Sequence, residues 1–294
     1  MAGVLAVAEP NAAAEEPPAH PAKVRPVDGA VIGTAIAASV ILRTALQPER
    51  PEWTAPLPPP RLGPLDAQFT GRFSMGASVA SDHLLRASIV APAVIHLFES
   101  SWSTRHSGTA RPGRYLVRRY ATDMILYTEA LAVSGLATSL LKRLVHRPRP
   151  LSHLHAEQVR PSQREDLADA QHSPTIEHSF PSGHTSWAFT AATAGATLLT
   201  MKMADRPRSP RKTGLLGATW VMSLGAAGSV AALRVAAGRH YPTDVLAGAA
   251  LGTLFGVGIP LLHRPRQRKQ KAVAWSLTPS VGRDLRGVSL GAAF

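Results

Sequence analysis

The chain has 294 residues, with 32 lysines and arginines against 19 acids and a formal net charge of +13. Such an excess leaves anionic partners open: nucleic acid, an anionic lipid surface, or phosphorylated substrates. Cysteine is absent, which excludes disulfides, thiolate metal sites and cysteine nucleophiles. A mean hydropathy of +0.01 averages polar tails with strongly apolar runs, so each run is judged by itself.

Residues 1–28 are rich in Ala, Pro and Glu with no sustained apolar period, and read as a disordered or loosely attached segment. The first uncharged run is Gly29–Leu42. A proline-dense stretch over 47–65 follows and must be loop or extended chain. The second apolar segment, about Ser74–Phe98, is interrupted by Asp82, His83 and Arg86. The third, Met124–Leu141, embeds Glu129, read as a polar contact between helices or a neutralised side chain rather than a catalytic group. Thr185–Met201, Thr213–Leu233 and Val245–Leu262 contain no charged residue, and each approaches the ~20 residues that cross a bilayer core. In the tail, Val273–Thr278 and Arg286–Phe294 alternate apolar and polar residues around a turn at Pro279–Asp284, predicting a short β-hairpin.

The connecting segments alternate in charge. Ser100–Tyr120, Lys202–Lys212 and His263–Lys271 are basic, whereas Leu151–Phe180 holds Glu157, Glu165, Asp166, Asp169 and Glu177 against Arg160 and Arg164. With six spans the basic segments share one side with Lys23 and Arg25, the positive-inside pattern, and both termini are cytoplasmic. The expected fold is therefore all-α: a bundle of six transmembrane helices with a short C-terminal β-hairpin. Its expected divisions are a loose segment 1–28, a helical domain 29–262 and a basic tail 263–294.

Three polar clusters fall at span ends on the face opposite the basic segments. They are Lys142 with Arg149-Pro150, Pro181-Ser182-Gly183-His184, and Arg234 with His240 and Asp244. Lys142, Arg149 and Arg234 suit a tetrahedral oxyanion, and the arginines offer planar paired donors. Ser182 and Gly183 just ahead of a helix add a hydroxyl and free backbone N–H groups. His240 and Asp244 stand four apart where a helix begins, a spacing at which a carboxylate can orient an imidazole. Two histidines, His184 and His240, converging on one phosphate suggest attack by one and leaving-group protonation by the other. The remaining histidines of the acidic segment (His146, His153, His155, His172, His178) have no accompanying ligand set and read as solvated loop residues, not a metal site.

Together, Lys142-x6-Arg149-Pro150, Pro181-Ser182-Gly183-His184 and Arg234-x5-His240-x3-Asp244 resemble the three-part signature of the type 2 phosphatidic acid phosphatase and vanadium haloperoxidase superfamily, on its membrane lipid-phosphatase branch. The match runs from Lys142 to Asp244 and departs at Leu233, where the family has Ser before its Arg. The resemblance implies that His240 is the nucleophile, Asp244 orients it, and His184 protonates the leaving group and then activates water. It also implies that Lys142, Arg149, Ser182, Gly183 and Arg234 hold the phosphoryl oxygens, with no metal and no cofactor.

The function expected is hydrolysis of a lipid phosphate or polyprenyl pyrophosphate at the non-cytoplasmic face of a membrane, such as the bacterial inner membrane. Partners are the phosphorylated amphiphile and membrane lipids, and no nucleic acid. The alternatives left open are a soluble acid phosphatase or a vanadium-dependent haloperoxidase with the same site, and a non-catalytic basic protein that binds anions or nucleic acid.

Overall fold

A computed structural model describes residues 20–44, 62–204, 206–264, 274–281 and 286–293. Most of segment 1–28, most of the proline-dense stretch 47–65 and most of the basic segment His263–Lys271 therefore lie outside the described residues. The described residues fall into two compact units, divided after Arg264.

The first unit is helical: α1 (Pro26–Thr44), α2 (Pro64–Ala67), α3 (Met75–Arg105), α4 (Pro112–Leu144), α5 (Arg164–Gln171), α6 (Gly183–Met203), α7 (Pro210–Ala236) and α8 (Pro242–Leu262). Proline near the start of α1, α4, α7 and α8 has its φ already helical and lacks an N–H that would go unpaired there anyway. The Ser74, Ser182 and Ser209 side chains cap α3, α6 and α7 by accepting backbone N–H groups of the first turn. Each long helix outruns its apolar segment. The largest difference is α4, which begins at Pro112 rather than Met124. Most of the segment expected as a basic loop, 100–120, is therefore helical, and only 106–111 connects α3 to α4. Arginine is a good helix former, and a helix end carrying Arg114 and Arg118 can extend into water without a break.

α1, α3, α4, α7 and α8 are long and apolar enough to cross a membrane. They turn large apolar side chains outward, among them Phe98, Val221, Met222 and Leu254. Inside, hydroxyls join helix to helix: Ser134 of α4 pairs with Ser186 of α6 at 2.8 Å, Thr138 donates to Ser186, and Thr190 donates to Ser134. An apolar exterior around a hydroxyl-bonded interior is the inverse of a water-soluble bundle and is the pattern of a multi-pass membrane protein. α6 is not among the helices that pass on hydropathy, because threonine, serine and glycine lower its mean; it is buried along nearly its whole length.

α8 lies tightly against α6 along a stripe of Gly248, Gly252 and Gly256. A Cβ there would stand 2.6 Å from the Ser182 carbonyl oxygen, 2.3 Å from that of Ser186, and 2.0 Å from Thr193 Oγ1. Only glycine lets the two backbones come this close.

The acidic segment between α4 and α6 is a folded cap rather than an open loop. Three short 3₁₀ turns and α5 enclose Leu151, Leu154, Leu167, Ala170 and Ile176. Gln171 Nε2 donates to the Leu151 and Leu154 carbonyls, 2.9 Å each. In the second unit, β1 (Ala274–Val281) pairs antiparallel with β2 (Arg286–Ala293), setting Leu277 opposite Leu290.

Candidate active site

The end of α4, the starts of α6 and α8, and the end of α7 converge, and they bring the three clusters together. The Ser182 N–H donates to the Asp244 carbonyl at 2.9 Å, fastening the start of α6 to the first turn of α8. A Cβ on Gly183 would lie 3.8 Å from Lys142 Cε, so the lysine runs past the same turn. Its Nζ donates to the His178 carbonyl at 2.6 Å.

Between Arg234 and His240 the chain turns at Gly238, whose φ is +67°. A Cβ there would stand 1.9 Å from the Arg72 carbonyl oxygen, so the turn demands glycine twice over. The Gly238 carbonyl accepts the Leu151 N–H at 3.1 Å, fixing the cap to this turn.

His240 is buried, and its Nδ1–H donates to the Ser179 carbonyl at 2.7 Å. A carbonyl can only accept, so this bond fixes the tautomer and leaves the Nε2 lone pair free. Burial, followed by the charges of Lys142, Arg234 and Arg149, holds its pKa well below 6.5, so the ring is neutral at pH 7. The direct His240–Asp244 bond expected from their spacing is not made. His240 Nδ1 stands 3.7 Å from Asp244 Oδ2, too far for a hydrogen bond. Because His240 precedes the helix, Ser179 fits between the two. Its hydroxyl donates to Asp244 Oδ2 at 2.5 Å while its carbonyl holds the imidazole. Asp244 is otherwise satisfied by the Tyr241 N–H at 2.8 Å and by Arg147 Nη1 at 2.6 Å.

Arg149 is buried. Its Nη2 donates to Thr175 Oγ1 at 3.0 Å, its Nε has no hydrogen-bond partner, and no described carboxylate pairs with it. Burial, then the Arg234 and Arg239 charges, push its pKa down to about 9, the mark of a cation confined among cations. Arg234 donates from Nη1 to Ser81 Oγ at 3.2 Å, and its Nε is also unpartnered among the described residues. Leu233 stands where a serine hydroxyl was expected, and Ser81 of α3 sets a hydroxyl beside Arg234 from another helix. The Ser182 hydroxyl accepts from the Thr185 hydroxyl at 3.0 Å and caps α6.

The PAP2 superfamily model matches residues 123–268, which contain all three clusters. The chain belongs to the PAP2 superfamily. Among solved structures it is similar to the first transmembrane PAP2 type phosphatidylglycerolphosphate phosphatase from Bacillus subtilis. The identity is 18% over 81% of this chain and 98% of that one, with a TM-score of 0.30. No curated protein matches.

Several residues of this PAP2 site escaped the sequence reading. Asp82 of α3 accepts from His184 Nε2 at 2.7 Å and lies 3.4 Å from Arg234 Nη1. In the sequence it only interrupts an apolar run, yet a carboxylate inside a span is costly enough to signal a site. Arg147 links Asp244 to Asp66 of α2, 2.6 Å each, and its guanidinium lies 4.2 Å from the centre of the Tyr241 ring. Burial would raise the Asp66 pKa, but the bonds from Arg147 and Thr243 hold it below the ordinary carboxylate range. His178, expected to be solvated, is buried, because Arg147 and His178 form an isolated bridge that draws it inward. Burial, then Arg143, His146 and Lys142, lower its pKa to about 4. A small cavity of about 170 Å³ is lined by Lys142 and, from α1, by Leu42 and Arg43.

Proposed function

We propose that the chain is a metal-independent lipid phosphatase acting through a phospho-histidine on His240. The observation that carries this reading is a buried, neutral imidazole with one nitrogen tied to a carbonyl and the other free, in the field of Lys142, Arg149 and Arg234. His240 Nε2 attacks phosphorus, and the three cations with Ser182 and the N–H groups at Gly183 stabilise charge on the phosphoryl oxygens. The bond to the leaving oxygen breaks as His184, held by Asp82, gives it a proton. Water then attacks the phosphorus, His184 takes the water proton, the N–P bond breaks and inorganic phosphate leaves. Asp244 acts on His240 through Ser179.

The substrate in this reading is an amphiphile, either a lipid phosphate or a polyprenyl pyrophosphate. A cavity lined by both apolar Leu42 and cationic Lys142 supports it. Six spans, with α6 as the central one, and a C-terminal hairpin complete the proposed architecture. In this reading the site faces the non-cytoplasmic side, which is supported by Lys23, Arg25, Arg114, Arg118, Lys202, Arg208 and Lys212 standing toward the opposite helix ends.

The test is phosphate release from lipid phosphates and a polyprenyl pyrophosphate in detergent at fixed temperature with EDTA. The native protein is expected to turn over and to trap an acid-labile phospho-enzyme. His240→Ala should lose roughly 10⁴-fold or more in rate and form no phospho-enzyme. Full activity in that variant would overturn the mechanism.

A further inference from the structure

A second cluster lies at the other end of α8. His263 closes that helix, Asp28 sits in the first turn of α1, and Glu129 projects from α4; all three are buried. Their facing atoms, one from each residue, lie within 4.8 Å of one another. α8 has 21 residues, so at 1.5 Å per residue about 30 Å separates this cluster from the site around His240.

Each ring or carboxylate is prepared on its outer side. His263 Nδ1–H donates to the Ile259 carbonyl at 2.9 Å, which turns the Nε2 lone pair inward. Asp28 Oδ2 accepts the Arg25 N–H at 2.6 Å, which leaves Oδ1 facing His263. A backbone carbonyl on the far nitrogen is the usual outer support of a metal-ligating histidine. On the inner side the requirements are unmet: His263 Nε2 and Glu129 Oε2 are buried and have no hydrogen-bond partner.

A second proton on His263 does not resolve this. Nε2 stands 3.2 Å from Asp28 Oδ1 but 3.6 Å from Glu129 Oε2, beyond hydrogen-bond reach, so a proton serves one carboxylate and strands the other. Arg25 also stands near both carboxylates but is exposed to water, so one inner positive charge on His263 still leaves two buried carboxylates under-compensated. An ion answers both points. Two ligands about 2.0–2.1 Å from a tetrahedral ion stand about 3.3–3.4 Å apart, close to both separations.

We propose that Asp28, Glu129 and His263 bind one divalent transition-metal ion of the zinc class. One imidazole with two carboxylates selects such an ion over magnesium, which prefers an all-oxygen octahedron. The ion ties α1 to α4 and α8 at the face away from the phosphate cluster. Its role is structural, independent of the phosphatase reading.

The test uses full-length protein in detergent, stripped with EDTA and then titrated with Zn²⁺, with Mg²⁺ as control. Zn²⁺ is expected to raise the thermal midpoint by several degrees, and Mg²⁺ to leave it unchanged. Elemental analysis is expected to find one more Zn²⁺ per chain in the native protein than in Glu129→Gln or His263→Gln. Co²⁺ should give visible absorption bands that both variants lose. If the variants are too unstable to purify, the Mg²⁺ control and the Co²⁺ spectrum of the native protein still decide. Equal zinc content in native protein and variants would overturn the proposal by assigning the ions to other histidines. So would native protein that retains no zinc and shows no shift, which leaves a proton-held triad.

Discussion

The bundle buries charge at both ends, and it does so in opposite ways. Around α3, α4 and α6, Lys202 sits between Asp123 and Glu99, while Arg119 and Arg206 each pair with Glu99 at 2.8 Å. His20 and His96 add 2.8 and 3.1 Å contacts to Asp123. At the end around His240, Lys142 is given a carbonyl and Arg149 a hydroxyl, with no described carboxylate pairing with either. Burying a charge is tolerable when a counter-charge is buried with it. The network around Lys202 is thus complete in itself. The second end gathers cations that an incoming anion would neutralise, which explains why the phosphate group, and not a fold contact, is their proposed partner.

Substitutions should separate the two ends. Arg149→Ala is expected to cut phosphate release about 10²–10³-fold with little loss of thermal stability, since it removes a confined cation whose gain comes only with the bound anion. A fall in stability as large as the fall in rate would erase the contrast. Asp123→Asn should do the reverse. Breaking the buried network costs about 3–5 kcal/mol, read as a lower unfolding midpoint, while the rate of the folded fraction stays near native. Gly252→Ala tests what holds the cation-rich end in register. Its methyl meets the Ser186 carbonyl, and the overpacking is expected to cost about 1–3 kcal/mol and to reduce activity as α6 and α8 separate.

The smallest effect is a pH slope. Unfolded, His178 takes a proton near 6.5; folded, it refuses one until about 4. Between those values the unfolded chain binds more protons, so stability rises with pH and is lost as pH falls through the window. His178→Gln should flatten part of that slope in unfolding midpoints measured from pH 4 to 7.

The clusters on Lys142, Ser182 and His240 were readable because local spacing places them: two sit at helix starts and one at a helix end. Apolar runs marked the spans, though not their charged extensions, since Pro112–Asp123 reads as loop by hydropathy and as helix by propensity. What spacing could not supply was every partner from elsewhere in the chain. Asp82 reaches His184 from α3, and Ser179 separates His240 from Asp244 because His240 lies just outside the helix that carries Asp244. The Gly248–Gly252–Gly256 stripe repeats every fourth residue and was legible as a close-packing motif, yet an apolar run hides it when only hydropathy is read.

Asp66 carries a consequence for the order of assembly. It accepts the Thr243 N–H at 3.0 Å and its hydroxyl at 2.6 Å, capping the start of α8 from 177 residues upstream. Synthesis runs from the N-terminus, so Asp66 and its partner Arg147 exist before α8 is made. The last helix carries Asp244, the turn just ahead of it carries His240, and together they dock onto a receptor already built. A chain stopped after α7 would hold every proposed phosphate-binding cation and lack the nucleophile. Such a fragment would be a binder without chemistry, and adding residues 237–262, the turn with His240 together with α8, as a separate peptide would be the way to switch it on.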